Sequence, residues 1–151
     1  MIRRAVIEDV GAIMALEKSC LRHPWEEAAI RNLIESDRQM ALVDERDGKV
    51  VGYIGFSWVE DESEIGNICV DNNYRRRKIA TGLLEETERE VAFAGANNLY
   101  LEVEDCNVAA MSLYKKCGFI KSMSRKDYYG PGRNAELYCK NLKEFNCEIS
   151  T

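Results

Sequence analysis

Ile68-Cys69-Val70-Asp71-Asn72-Asn73-Tyr74-Arg75-Arg76-Arg77-Lys78-Ile79-Ala80-Thr81-Gly82-Leu83-Leu84 changes its hydrophobic period half-way along. Ile68, Cys69 and Val70 end an apolar run of strand character, Asp71 to Tyr74 make a polar loop, and four cations follow. From there Ile79, Leu83, Leu84, Thr87 and Val91 recur at the spacing of one helix face, and Gly95 supplies the stop. A strand therefore enters a basic loop that opens directly into a helix. The first turn of a helix leaves backbone N–H groups unpaired and carries partial positive charge, and both favour a bound phosphate. Arg75, Arg76, Arg77 and Lys78 add fixed charge, and Ala80 and Gly82 are expected to keep the first turn slim. Taken alone, the charge run reads rather as a solvated basic turn or a nucleic-acid patch. Its position between a strand and an amphipathic helix favours the anion site.

Upstream, Asp9 to Cys20 sets Val10, Ala12, Ile13, Met14 and Leu16 at helical spacing. His23-Pro24 interrupts it, and Glu26 to Ile34 resumes with Ala29, Ile30, Leu33 and Ile34 on one side. Gln39 to Asp44 and Lys49 to Val59 read as strands joined at Arg46-Asp47-Gly48, and Glu64 to Val70 as a third after the acidic turn Glu60-Asp61-Glu62-Ser63. Downstream, Leu99 to Val103 is a short strand, and Asn107 to Lys116 a helix ended by Cys117-Gly118. Phe119 to Tyr129 and Ala135 to Leu142 form a hairpin around Gly130-Pro131-Gly132. The strand–helix–strand–helix–strand order in the middle predicts a βαβ unit with parallel neighbours, flanked by antiparallel hairpins. The fold class is α/β. No repeat or linker divides the chain, so residues 1–142 are expected to form one domain and the aperiodic residues 143–151 a loose tail.

Composition narrows the function classes. The 151 residues are 46% hydrophobic and 31% charged, the balance of a folded globule. A net charge of -5 argues against coating nucleic acid or anionic lipid and suits a cationic substrate. No window approaches the roughly 18 apolar residues of a membrane span, and the first residues lack a signal-peptide run. Cys20, Cys69, Cys106, Cys117, Cys139 and Cys147 include no C-x-x-C pair and read as free thiols in a reducing cytoplasm. With His23 the only histidine, no metal site is expected.

The basic loop resembles the acetyl-coenzyme A pyrophosphate loop of the GNAT acetyltransferase superfamily, Gln/Arg-x-x-Gly-x-Gly/Ala. Arg75, Ile79 and Ala80 fit it, as do the preceding strand and Tyr74, whereas Lys78 stands where that family usually has glycine. A second segment is similar to the same family's strand, Asn-x-x-Ala and helix ending Leu-Tyr-x-x-x-Gly-Phe. It comprises Leu99-Tyr100-Leu101-Glu102-Val103-Glu104-Asp105-Cys106-Asn107-Val108-Ala109-Ala110 and Leu113-Tyr114-Lys115-Lys116-Cys117-Gly118-Phe119. Two motifs in order and at a suitable distance are far more specific than either alone, and together they cover Glu64 to Phe119. Within the superfamily, His23-Pro24-Trp25-Glu26, Glu102 and Tyr128-Tyr129 with Arg133-Asn134-Ala135 resemble the RimI type, which acetylates the N-terminal alanine of a small-subunit ribosomal protein.

The resemblance implies the GNAT fold, a mixed, mostly antiparallel sheet with a parallel βαβ core that binds acetyl-CoA. It implies a cofactor site formed by Ile68, Cys69, Val70, Arg75, Arg76, Arg77, Lys78, Ile79, Ala80, Thr81, Asn107 and Tyr114, with Asn107 on the pantetheine arm and Tyr114 near the sulfur. It places Trp25 and Tyr128 around the acceptor, a protein or peptide N-terminus. Alternation along the fifth strand puts Leu99, Leu101 and Val103 on one face and Tyr100 and Glu102 on the other. Glu102 beside an apolar core is expected to gain basicity by desolvation, and the resemblance makes it the group that takes the amine proton. Its bland reading is a surface carboxylate. Tyr114 would protonate the leaving thiolate, or be a buried structural tyrosine. A backbone N–H near Cys69 would steady the acetyl oxygen. An acetyl-cysteine at Cys69 is disfavoured because no histidine can activate it. Direct transfer is expected. Two other readings remain open: a small-molecule amine as acceptor, and a non-catalytic coenzyme A-binding sensor.

Overall fold

Seven strands form one sheet in the order β1-β2-β3-β4-β5-β7-β6, in a computed structural model that describes residues 1–142. The strands are β1 (Ile2–Arg4), β2 (Gln39–Arg46), β3 (Lys49–Val59), β4 (Glu62–Val70), β5 (Asn98–Glu104), β6 (Ile120–Gly130) and β7 (Arg133–Asn141). The helices are α1 (Val10–Cys20), α2 (Glu27–Glu35), α3 (Ile79–Phe93) and α4 (Val108–Lys116), with short 3-10 turns at Ile7–Asp9 and Asn72–Tyr74. Boundaries expected from periodicity shift by one or two residues: β4 already starts at Glu62, which leaves only Glu60 and Asp61 in the acidic turn.

The central strand β3 is buried on both faces from Val51 to Phe56, and two cores lie on either side of it. On one face α3 and α4 bury Ile79, Leu83, Leu84, Val91 and Tyr114 against Ile54, Phe56, Leu99, Leu101 and Val103. On the other, α1 and α2 bury Val10, Ile13, Leu16, Ile30 and Leu33 against Ala41, Val43, Tyr53 and Cys69. Gly52 lets α3 come close: a Cβ there would stand 2.8 Å from Ile79 Cγ2, the first residue of that helix. The close approach brings the start of α3 down onto β3.

The parallel pair is β4 and β5, joined across α3, and its ladder covers only Glu62, Ser63 and Glu64 against Asn98, Leu99 and Tyr100. Beyond Glu64 and Tyr100 the two strands run on to Val70 and Glu104 with no ladder between them among the described residues. The sheet is thus split along its length at the carboxyl ends of two parallel strands, where open α/β sheets place ligands.

Three features escaped the periodicity. Strand β1 is too short to show a period, yet pairs antiparallel with β2 from Ile2↔Asp44 to Arg4↔Leu42. Gly82 makes room for that strand rather than for a ligand, because a Cβ on it would stand 3.2 Å from Ile2 Cδ1. The neighbour of β5 is β7, which inserts antiparallel between β5 and the preceding strand β6. The expected loose tail, 143–151, lies outside the described residues. No helix among the described residues is long and apolar enough to cross a membrane.

Candidate active site

The basic loop lies at the mouth of the split. Arg75 is extended, Arg76 and Lys78 are left-handed with φ of 64° and 60°, and α3 begins at Ile79. Lys78 is the N-cap and keeps a backbone that glycine adopts without strain, although it carries a side chain. No side chain caps this end of α3. Its first N–H groups therefore face outward with the helix dipole behind them. Arg75, Arg76, Arg77 and Lys78 are exposed, and none is ion-paired to a carboxylate among the described residues. The guanidinium of Arg77 lies 4.9 Å from the Tyr74 ring centroid, with Lys49 5.7 Å away, so Tyr74 braces the loop. Four uncompensated cations at an uncapped helix start suit a pyrophosphate.

The other expected cofactor residues divide between two tasks. Ile68 and Val70 pack against the α3 side of the sheet, whereas Cys69 points to the α1 side and is buried. Burial pushes the Cys69 thiol well above its ordinary range, with nearby Cys20 and Glu17 adding to the effect. An acetyl-cysteine at this position therefore lacks its thiolate as well as a histidine. Ala80 is half-buried, and Thr81 sets its hydroxyl against the Cys117 thiol at the end of α4. Asn107 caps α4, its Oδ1 accepting from Ala110 N at 3.1 Å.

Glu102 and Tyr114 flank β5 from opposite faces. Tyr114 is buried in the α3 core with the Phe119 and Tyr138 rings at 6.0 and 6.3 Å, and burial pushes its phenol up to about 12. Glu102 stands on the other face, half-buried, with Arg125 Nη1 3.7 Å from its Oε1. Its surroundings are charged and aromatic rather than the apolar setting expected from alternation. The Arg125 guanidinium is 5.5 Å from the Tyr128 ring, and Tyr128 meets Tyr129 edge-on at 5.1 Å. Tyr128 is exposed, while half-buried Tyr129 is pushed up to about 12 by burial and then by the Glu102 charge. Arg133 holds Glu104, at the strand end, by a hydrogen bond that pulls its carboxyl below the usual range.

Trp25 borders the same face. Its ring lies on Gly66 of β4, where a Cβ would stand 2.8 Å from Trp25 Cη2. The Arg22 charge, from the same loop, is felt at Glu104. The loop joining α1 to α2 and the β6–β7 hairpin thus both bring charge to this end of β5, Arg22 and Arg133 at Glu104 and Arg125 at Glu102.

Arg22, Arg125 and Glu17 are not singled out by the sequence, and Tyr129 is read there only as part of the Tyr128-Tyr129 pair, with no role of its own. Arg22 and Arg125 have no local signature. Glu17 did leave a trace, since it falls four residues after Ile13 on the apolar stripe of α1.

Comparison with known proteins agrees with this geometry. The profile of the Acetyltransferase (GNAT) family matches residues 10–119. The [ribosomal protein bS18]-alanine N-acetyltransferase of Escherichia coli (strain K12) is 31% identical over 121 residues, 80% of this chain and 81% of that one. An N-alpha-acetyltransferase of Sulfurisphaera tokodaii is 31% identical over 154 aligned positions, 93% of this chain and 92% of its own. The crystal structure of the ribosomal-protein-S18-alanine N-acetyltransferase from Escherichia coli superimposes with a TM-score of 0.85 at 27% identity, covering 94% of this chain and 93% of that one. With the split sheet, the basic helix start and the family profile in agreement, the chain belongs to the GNAT acetyltransferase family, whose enzymes draw the acetyl group from acetyl-CoA.

Proposed function

We propose that this protein acetylates the N-terminal amine of a polypeptide whose first residue is alanine, the small-subunit ribosomal protein bS18 being the foremost candidate. One observation carries the reading. The two proton-transfer groups stand on opposite faces of the sheet, beside the place where β4 and β5 part. An amine entering from the Trp25 side meets Glu102, and a thioester lying along the α3 side meets Tyr114.

The amine nitrogen attacks the thioester carbonyl carbon, a C–N bond forms and the C–S bond breaks. Glu102 takes the proton lost by the amine, through a water where the two do not touch, and Tyr114 gives its proton to the departing thiolate. A backbone N–H of the unpaired edge near Cys69 receives the charge that develops on the carbonyl oxygen. Arg75, Arg76, Arg77, Lys78 and the N–H groups of Ile79, Ala80 and Thr81 hold the pyrophosphate, and Ile68, Val70 and Asn107 border the pantetheine arm. An α-amine suits this site better than lysine, because its pKa of about 7.7–8.0 leaves more of it neutral than lysine's 10.4 or so. The thiols Cys20, Cys69, Cys106, Cys117 and Cys139 are free, which supports work in a reducing compartment such as the cytoplasm.

Initial rates with acetyl-CoA and a panel of amines test the reading. A short Ala-initiated peptide is expected to outcompete the same peptide with a blocked N-terminus and an internal lysine. Equal rates on both, or turnover of small amines only, would transfer the assignment to a small-molecule acceptor. Coenzyme A binding without turnover of any amine would identify a sensor.

A further inference from the structure

Glu17 is a buried carboxylate that the acetyl-transfer chemistry does not use. It sits on α1 with none of its surface exposed and accepts hydrogen bonds from three separate elements. The backbone N–H of Trp25 donates to Oε1 at 2.6 Å, Asn67 Nδ2 on β4 donates to Oε2 at 2.7 Å, and the Tyr53 hydroxyl on β3 donates to the same oxygen. Burial and the bond to Glu17 hold the Tyr53 phenol far above its ordinary range, so that hydroxyl remains a donor.

The connections matter because of where they lead. Trp25 is in the loop between α1 and α2, and its ring rests on Gly66, next to Asn67. Gly66 and Asn67 lie in the part of β4 beyond the β5 ladder, with Asn67 two residues before Cys69. One carboxylate therefore fixes the α1–α2 loop, which carries Trp25, to the strand that borders the acetyl group. A core packed only for stability would more economically place a leucine here, since burying a carboxylate costs several kcal/mol unless every partner is in place.

We propose that Glu17 is a positioning residue for the acceptor: it holds the Trp25 loop in register with β4 and so sets the affinity for the incoming amine without touching either reactant. The inference rests on the reading of the Trp25 face as the acceptor side. In Glu17→Gln one of the two acceptor oxygens becomes an NH2 donor, facing either the Trp25 N–H or the Tyr53–Asn67 pair, so the three donors cannot all be accepted as they are by the carboxylate.

The test measures steady-state kinetics of Glu17→Gln with the amine that the wild-type protein turns over best from the panel above. It also measures acrylamide quenching of Trp25 in a Trp58→Phe background, which leaves Trp25 as the single tryptophan of the two in the chain. The KM for the amine is expected to rise about tenfold, with kcat and the KM for acetyl-CoA within about twofold, and quenching to increase. Unchanged quenching, or equal losses in every kinetic constant that follow a fall in Tm, would overturn the proposal. If Glu17→Gln does not fold, Asn67→Ala removes one donor only. Its amine KM is expected to rise about threefold with kcat retained, and no change would be equally fatal. A wrong acceptor reading appears in the wild-type panel alone, whereas quenching needs no acceptor and judges Glu17 by itself.

Discussion

The carboxylate of Glu102 lies 3.7 Å from the guanidinium of Arg125, across the inserted strand β7. Arg125 is about half exposed, so the pair is screened and contributes about 0–1 kcal/mol. The carboxylate, not the pair, is expected to matter for rate. Glu102→Gln should keep acetyl-CoA binding and lower kcat by about 10²-fold or more. Arg125→Ala should change kcat by less than about fivefold. Unchanged kcat in Glu102→Gln would remove that residue from the mechanism.

Tyr114 gives a prediction in pH. Its phenol is pushed up to about 12 by burial, so the protonated form, which can donate, persists below that value. An ordinary tyrosine is half ionised near pH 10. The kcat profile is therefore expected to show no Tyr114-dependent fall up to about pH 10.5. Tyr114→Phe should lower kcat more than it raises the KM for acetyl-CoA. A loss confined to thermal stability would leave Tyr114 a core residue.

Lys78 combines a useful charge with a costly backbone. A left-handed φ of 60° costs a residue with a side chain roughly 1–2 kcal/mol, of which glycine's greater chain entropy offsets about half. Lys78→Gly should therefore stabilise the free protein by up to about 1 kcal/mol, a Tm rise of about 2–4 °C. The same change removes a cation from the proposed pyrophosphate site, where a charge-assisted contact would contribute about 1.5–3 kcal/mol. Binding of acetyl-CoA should weaken several-fold and lose part of its salt dependence while Tm rises. Tighter binding at both low and high salt would show that the Lys78 side chain points away from the phosphates.

Gly66 is expected to be intolerant of even one methyl group. A Cβ would stand 2.8 and 3.2 Å from two ring carbons of Trp25, and a fused ring backed by the α1 core yields little. Gly66→Ala should cost about 1–3 kcal/mol of stability. Adding Trp25→Leu should cost less than the sum of the two single changes, and a double-mutant cycle on Tm and denaturant midpoints measures the difference. Strict additivity would mean that the two residues do not press on each other.

The order of elements, the βαβ unit, the basic helix start and the Glu102 alternation are written locally, in period, charge and chain neighbours within a few residues. Those features were legible because helix and strand periods and helix-end chemistry depend on adjacent residues alone. The tertiary structure decided what depends on residues far apart in the chain. It placed β7 between β5 and β6, ended the β4–β5 ladder at Glu64 and Tyr100, and set Tyr114 and Glu102 on opposite faces of the sheet beside that split. It also gave Lys78 the left-handed backbone, turned Gly82 toward Ile2, and gathered Trp25, Tyr53 and Asn67 around Glu17. A carboxylate on an apolar stripe shows that something must satisfy it, because an unpaired buried charge is prohibitive. Which donors do so is set by the packing of α1 on the sheet, and no local pattern in the chain records that choice.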